Sequence, residues 1–399
     1  MELPRVKIQF LNGQLGTVGE SADGLMALVC GADVVNGKLT LNQPYELRST
    51  DDLEELGVTA ANNPTLWKHV TEFYDEASTG VKLVIYPVAG TQKMTDLCDY
   101  TKNVAGTLRD LITRENGALR GIGIAGVNTG STDKSQNGLD ADVLTALKKA
   151  QQLAEWATIE LHAPLFVVLE GKGYDATKEL ADLTDEESNR VAVLIGDTRA
   201  SSGGACMGTL LGRIAKLPVQ RNIGRVKDGS LAPTAIYIGS KKVDESGSDT
   251  AKLHEKGYVV VRKHTGRSGY YFADDPMACK PTDDYAHLTA RRTIDKAYRV
   301  AYDTLIDELL DELEVNEDGT LQYAVAKSWQ QTLENAVNRQ MTASGELSSG
   351  SDGEGCSCYI DATQNVVSTG KIAITLKVRP YGYARYIDVN LGFDVTSNN

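Results

Sequence analysis

Basic charge, long apolar runs and clustered metal-binding side chains are what this sequence lacks. Its 41 lysines and arginines are outnumbered by 54 aspartates and glutamates, for a formal net charge of −13 over 399 residues. A surface that reads nucleic-acid phosphates needs a basic excess, so nucleic acid is not an expected partner. No run of eighteen apolar residues occurs, and direct membrane insertion is not expected. The opening MELPRVKIQFLNG has no basic start followed by a long apolar stretch, so it does not read as a secretory signal. The six cysteines are Cys30, Cys98, Cys206, Cys279, Cys356 and Cys358, scattered along the chain. Only Cys356 and Cys358 lie close, in GEGCSCYI, and two thiolates alone cannot close a tetrahedral zinc site. No metal and no cofactor is expected. The phosphate-binding pattern G-x-x-x-x-G-K-[S/T] does not occur either.

What the sequence does carry is an α/β rhythm. Apolar segments VKLVIYPVA at 81–89, LRGIGIAGVN, APLFVVLEG and NRVAVLIGD read as buried strands. Between them lie helical stretches, KMTDLCDYTKNVAGTLRDLITREN and DADVLTALKKAQQLAEWATIEL, and GGACMGTLLGRIAKL follows the last strand. Such alternation implies a largely parallel sheet covered on both faces. Earlier, NPTLWKHVTEFYDEAS forms a helix with Leu66, Val70 and Phe73 on one face. The rest of the first 80 residues reads as mixed.

Past about residue 240 the pattern changes. Val259 to Val261, a HTGRSG turn and Tyr270 to Phe272 read as a hairpin. Helices follow over roughly 284–314 and 324–341, then a soft loop, TASGELSSGSDGEGC, then two alternating strands. The first has Ile372, Ile374, Leu376 and Val378 on one face; the closing one has Ile387, Val389, Leu391, Phe393 and Val395. At the other end Val6, Ile8 and Phe10 also alternate. Terminal strands fray unless something ties them down, and a sheet edge of another subunit would serve. The fold class expected is an α/β body with a mostly parallel sheet plus an α+β C-terminal domain, with extended N- and C-terminal strand arms. Its boundaries are 1–20 for the first arm, 21–240 for the body, 241–383 for the C-terminal domain and 384–399 for the second arm.

Catalytic patterns are few. Gly121, Gly123 and Gly126 have G-x-G-x-x-G spacing, but they alternate with Ile122 and Ile124 inside a strand rather than in a turn. Close packing explains them. Gly204, Cys206 and Gly208 match a nucleophile elbow, although DTRASSGGA separates Cys206 from the preceding strand. An α/β hydrolase using Cys206 is the alternative reading, and a small packing residue at a helix start is the plain one. His162 lies between helix and strand with no evident acid partner. No catalytic residue is assigned.

The helix near 284–314 carries two stripes. Ile294, Tyr298, Ala301, Leu305, Leu309 and Leu313 form an apolar one; Arg292, Lys296 and Arg299 form a basic one. Acids crowd its second half, at Asp307, Glu308, Asp311, Glu312 and Glu314. This order opposes the helix dipole, which suggests a basic face held for an acidic partner.

Three stretches together resemble contractile tail sheath proteins of phages and phage-like injection particles. They are DTRASSGGACMGTLLGRIAKLPVQRNIGRVKDG, HEKGYVVVRKHTGRSGYYFADDPMA and DDYAHLTARRTIDKAYRVAYDTLIDELL, with YARYIDVNLGF looking like the family's closing strand pair. The resemblance implies a non-enzymatic structural subunit of a virion tail or phage-like particle, assembled in the bacterial host cytoplasm. It implies a helical homo-polymer around an inner tail tube protein, bounded by baseplate and tail terminator proteins. Terminal arms would cross to neighbouring sheets, and contraction would draw on energy stored in the extended lattice. On that reading Arg292, Lys296 and Arg299 face the tube, and Val6, Ile8, Phe10, Ile387, Val389, Leu391, Phe393 and Val395 belong to the exchanged arms. A monomeric ligand-binding α/β protein stays open beside it.

Overall fold

A computed structural model describes residues 23–130, 137–245 and 247–393. The chain divides into two compact units, the first ending at Leu309 and the second beginning at Leu310. Residue 240, near which a boundary is expected, lies within the first unit, and Val259 bridges to the edge of its sheet. Ile195 N–H donates to the Val259 carbonyl at 3.0 Å and Val259 N–H to that of Val193 at 2.9 Å.

The first unit is built on a mixed sheet of six strands. They are β1 (Met26–Ala32), β2 (Tyr45–Leu47), β3 (Leu83–Ala89), β4 (Gly121–Ala125), β5 (Phe166–Glu170) and β6 (Val191–Leu194), in the order β2-β3-β1-β4-β5-β6. All neighbours pair in parallel except β2, which lies antiparallel on the edge beside β3. The sheet is thus mostly parallel, as the alternation of apolar strands and helices predicts. Its central strand, β1, is buried at all seven positions, yet it lies in the stretch that reads as mixed. The hairpin is shorter than expected, with β7 (Val261–Arg262) antiparallel to β8 (Tyr271–Phe272).

Helices α1 (Pro64–Ala77), α2 (Ala141–Glu160) and α3 (Met207–Lys216) pack on this sheet, and α4 (Leu288–Leu305) meets the end of α3. Asp140 caps α2 by accepting from Asp142 N–H, and its apolar positions from Val143 to Ala157 recur every three or four residues into the core. Leu66, Val70 and Phe73 of α1 are buried as their spacing predicts. Two glycines let α3 lie against α1. A Cβ at Gly208 would overlap the His69 carbonyl, and one at Gly212 would sit 2.6 Å from that of Phe73. The helix expected over 284–314 ends sooner, at Leu305, and a 3₁₀ turn, Ile306–Glu308, follows it.

The second unit pairs α5 (Tyr323–Val337) with an antiparallel ribbon of β9 (Cys356–Ile360) and β10 (Ile374–Val378). Leu321, Ala326 and Ile360 centre a small core that Trp329, Ile372 and Ile374 flank. The segment 342–355 has no strand, as its composition predicts. It is tied down all the same, since Leu347 is buried and Ser348 N–H reaches the Arg379 carbonyl at 2.9 Å.

Candidate functional site

In an open α/β sheet, ligands bind outside the carboxyl ends of the strands where strand order reverses. Here that point lies between β1 and β4, and the chain's own groups fill it. A Cβ at Gly31 would overlap the Gly126 carbonyl. The Glu170 carboxylate accepts from Gly126 N–H and from Ala205 N–H, each at 3.0 Å. Lys172 Nζ donates to the Val127 carbonyl at 2.8 Å and also to that of Asn128. Gly121 and Gly123 are packing residues within β4. A Cβ on Gly121 would strike the Phe166 ring, and one on Gly123 would come within 2.8 Å of Met207 and Leu211.

Cys206 caps the start of α3 and is fully buried. Burial, with the carboxylates of Glu72 and Asp197 adding to it, raises its thiol well above the ordinary value. Lys68 pairs with both carboxylates. A protonated thiol without solvent access is a poor nucleophile, so the hydrolase alternative is not favoured. Native protein treated with iodoacetamide should keep Cys206 unmodified, by peptide mass spectrometry. Cys206→Ser should leave the folded protein intact. Rapid alkylation of Cys206 without unfolding would contradict the packing role.

One group with metal-ligand chemistry escapes sequence reading, because its members come from two loops. Asp274, Asp275 and His287 converge, with ligand atoms within 4.8 Å of one another. Carboxylate oxygens of both aspartates already accept hydrogen bonds. Asn222 Nδ2 donates to Asp274 Oδ1 at 2.6 Å and to Asp275 Oδ1 at 2.8 Å, and Thr289 N–H donates to Asp275 Oδ2 at 2.8 Å. Asp275 therefore serves as a remote cap on the start of α4.

The basic stripe of α4 turns inward. Arg292 is 4% exposed, and its guanidinium donates to the carbonyls of Ile214 at 3.2 Å and Leu217 at 2.9 Å. It thereby caps carbonyls at the end of α3, where the helix dipole favours a cation. Lys296 and Arg299 both hold Asp23, each at 2.7 Å. Arg292, Lys296 and Arg299, expected from the sequence to face an inner tube, thus each have partners within their own chain. The odd charge order of the helix has intramolecular partners. Arg291 and Arg190 likewise share Asp295, at 2.9 and 3.1 Å.

Burial alone would raise the Asp23 carboxyl, but Lys296 and Arg299 outweigh it and hold the group below its ordinary 3.8. A depressed carboxyl contributes stability above its unfolded value and loses it as pH falls through the lower folded one. Asp23→Asn should therefore cost about 1.5–3 kcal/mol at neutral pH, the range for hydrogen bonds to charged groups. Thermal melts of both proteins should converge as pH drops below 3.8. A difference independent of pH would contradict this account.

The apolar residues of the C-terminal arm stand in solvent. Ile387, Val389, Leu391 and Phe393 are 77%, 76%, 95% and 98% exposed. No described residue from 379 to 393 belongs to a helix or strand. Val395 and the N-terminal Val6, Ile8 and Phe10 lie outside the described residues.

Comparison with known proteins places this architecture. No curated protein matches the chain. Solved structures of similar fold come from contractile injection particles. A chain of the anti-feeding prophage baseplate, 6-fold symmetrised, is 18% identical with a TM-score of 0.65, covering 99% of this chain and 100% of that one. A chain of the PVC sheath complex in its contracted state is 14% identical with a TM-score of 0.60, covering 99% and 98%. A third, from the anti-feeding prophage baseplate in contracted state, is 14% identical with a TM-score of 0.59, covering 99% of each. The family models for the DUF2586 N-terminal and C-terminal domains match residues 3–276 and 284–398. The chain belongs to the DUF2586 family and carries both of its domains.

Proposed function

We propose that the protein is the structural subunit of a contractile tail sheath. It polymerises helically around an inner tube protein, between baseplate and terminator proteins, and contracts to drive that tube through a target envelope. The particle would be a virion tail or a phage-like injection particle built in a bacterial cytoplasm. The observation that carries this reading is the exposed, strictly alternating apolar arm in a chain whose whole length shares its fold with chains of such particles.

The ribbon in the second unit offers the arm one edge. The outer edge of β9 is occupied, since Cys358 N–H donates to Glu334 Oε1 of α5 at 2.6 Å. On β10, among the described residues, no backbone bond falls on Ile374–Val378 beyond those to β9. A two-stranded ribbon is marginal alone and gains stability from a third strand. The arm of a neighbour, Ile387 to Val395, would supply it by strand addition. Residues 5–11 of a further subunit would join the same sheet.

The test is negative-stain electron microscopy of purified protein, alone and with its inner tube protein. Tubes or stacked rings are expected. A protein that stays monomeric at every salt and concentration, with tube protein present, would refute the reading.

A further inference from the structure

α4 buries charged side chains along with Leu288, Ala297 and Val300. Its charged positions Arg291, Arg292 and Asp295 are buried, while the apolar stripe of Ile294, Tyr298 and Leu305 is only half-buried. The stripe continues outward through Tyr302 and Ile306 to Leu309, which is 67% exposed. The end of α2 widens it. His162 stacks on Tyr302 with ring centroids 4.4 Å apart, and its Nδ1 lies 2.9 Å from the Tyr298 hydroxyl. That hydroxyl also reaches the Thr158 carbonyl at 3.2 Å, and the adjoining Ile159 is 67% exposed. The result is one apolar, aromatic surface on the first unit. Exposed acids neighbour these residues along the chain, at Glu155, Glu160, Asp303 and Asp307. Continuous apolar surface with a polar rim marks an interaction site.

The chain also holds a segment of complementary chemistry. Between Asp361 and Asp388 there is no acidic residue, but there are Lys371, Lys377, Arg379 and Arg385, in a protein of net charge −13. The same stretch presents exposed Tyr381, Tyr383 and Tyr386 and leads into the apolar arm. Tyrosine and arginine are favoured at the centre of interfaces, where one side chain supplies both apolar area and a polar group.

We propose that the outward stripe of α4, with the end of α2, is a contact between copies of this chain, and that it receives residues 379–386 of a second copy. The inference rests on the self-assembly proposed above but concerns a different surface from the β10 edge. Basic and tyrosine side chains at the root of the arm would meet the acidic rim and aromatic patch. The contact would orient the arm before its end reaches a sheet, and its charged part would weaken with salt.

A fluorescent peptide of residues 379–386, titrated into the intact protein below its polymerisation concentration, tests this by anisotropy. Saturable binding is expected, weakened tenfold or more by the pair Ile306→Asp and Leu309→Asp. A second variant, Glu160→Lys with Asp307→Lys, alters exposed positions only. It should weaken binding severalfold and flatten the salt dependence. Unchanged affinity in both variants, or no binding to intact protein, would overturn the proposal. So would variants that keep the peptide but lose the inner tube protein, since the patch would then face the tube. Because the peptide assay needs no polymer, it can fail while tubes still form, and tubes can be absent while it succeeds.

Discussion

Deleting residues 384–399 is expected to leave a folded subunit that no longer polymerises. The core of the second unit lies in Leu321, Ala326, Leu333, Val337 and Ile360, all upstream of the deletion. Circular dichroism and the thermal midpoint should therefore barely change. Assembly should change greatly. Burying Ile387, Val389, Leu391 and Phe393 would yield roughly 1.5–3 kcal/mol each. Ordering about ten residues costs about 1–2 kcal/mol apiece. The ordering cost matches or exceeds that gain, so apolar burial alone does not fix the arm. Backbone pairing to a neighbour's edge tips the balance, and without the arm nothing replaces it. By sedimentation, no polymer should form even at about a hundredfold the concentration at which the full chain assembles, a loss of at least roughly 3 kcal/mol. Tubes forming at the original concentration would mean that the arm is not the link between subunits.

Glu76→Ala should be among the most destabilising single substitutions in the first unit. Glu76 ends the buried face of α1, and its Oε1 lies 2.8 Å from both Arg213 Nε and Lys216 Nζ of α3. The side chains of Glu76 and Arg213 are each 1% exposed. Arg213 also donates to the Ser230 carbonyl at 2.9 Å, and Glu76 Oε2 accepts from Ala232 N–H at 2.9 Å. One carboxylate thus fastens two helices and the loop that covers them. Removing it leaves a buried guanidinium without a counter-charge, which costs about 3–5 kcal/mol. Against a total stability of about 5–15 kcal/mol, that is a large fraction. Urea denaturation should show a clear fall in midpoint. Replacing Glu76 and Arg213 together by Met should cost less than the two single losses added, because no lone charge then stays buried. A loss below about 1 kcal/mol for Glu76→Ala would show that the pair is solvated and weak.

Much of the sheet was legible because β3 to β6 are apolar runs bounded by turns, and such runs in alternation with helices mean parallel strands. β1 was not. MALVCGA holds glycine, alanine and cysteine, has no period of its own, and becomes a strand only because β3 and β4 flank it. β9 was hidden in the same way by the loop-like residues before it. For α4, the 3.6-residue period located both stripes but not which one faces inward. That choice depends on partners distant in sequence: the end of α3 for Arg292, and Asp23 for Lys296 and Arg299. Periodicity identifies faces, whereas burial is decided by what arrives opposite them. The pattern of the C-terminal arm was plain in the sequence, but a pattern cannot say whose sheet receives it.

The most direct test of self-assembly through exchanged arms is a cryo-electron microscopy reconstruction of the assembled protein at side-chain resolution. The account predicts residues 387–395 of one subunit running beside Ile374–Val378 of a neighbour as an added strand, with Ile387, Val389, Leu391 and Phe393 on its buried face. Those residues folded back on their own subunit, with neighbours joined through other surfaces, would contradict it.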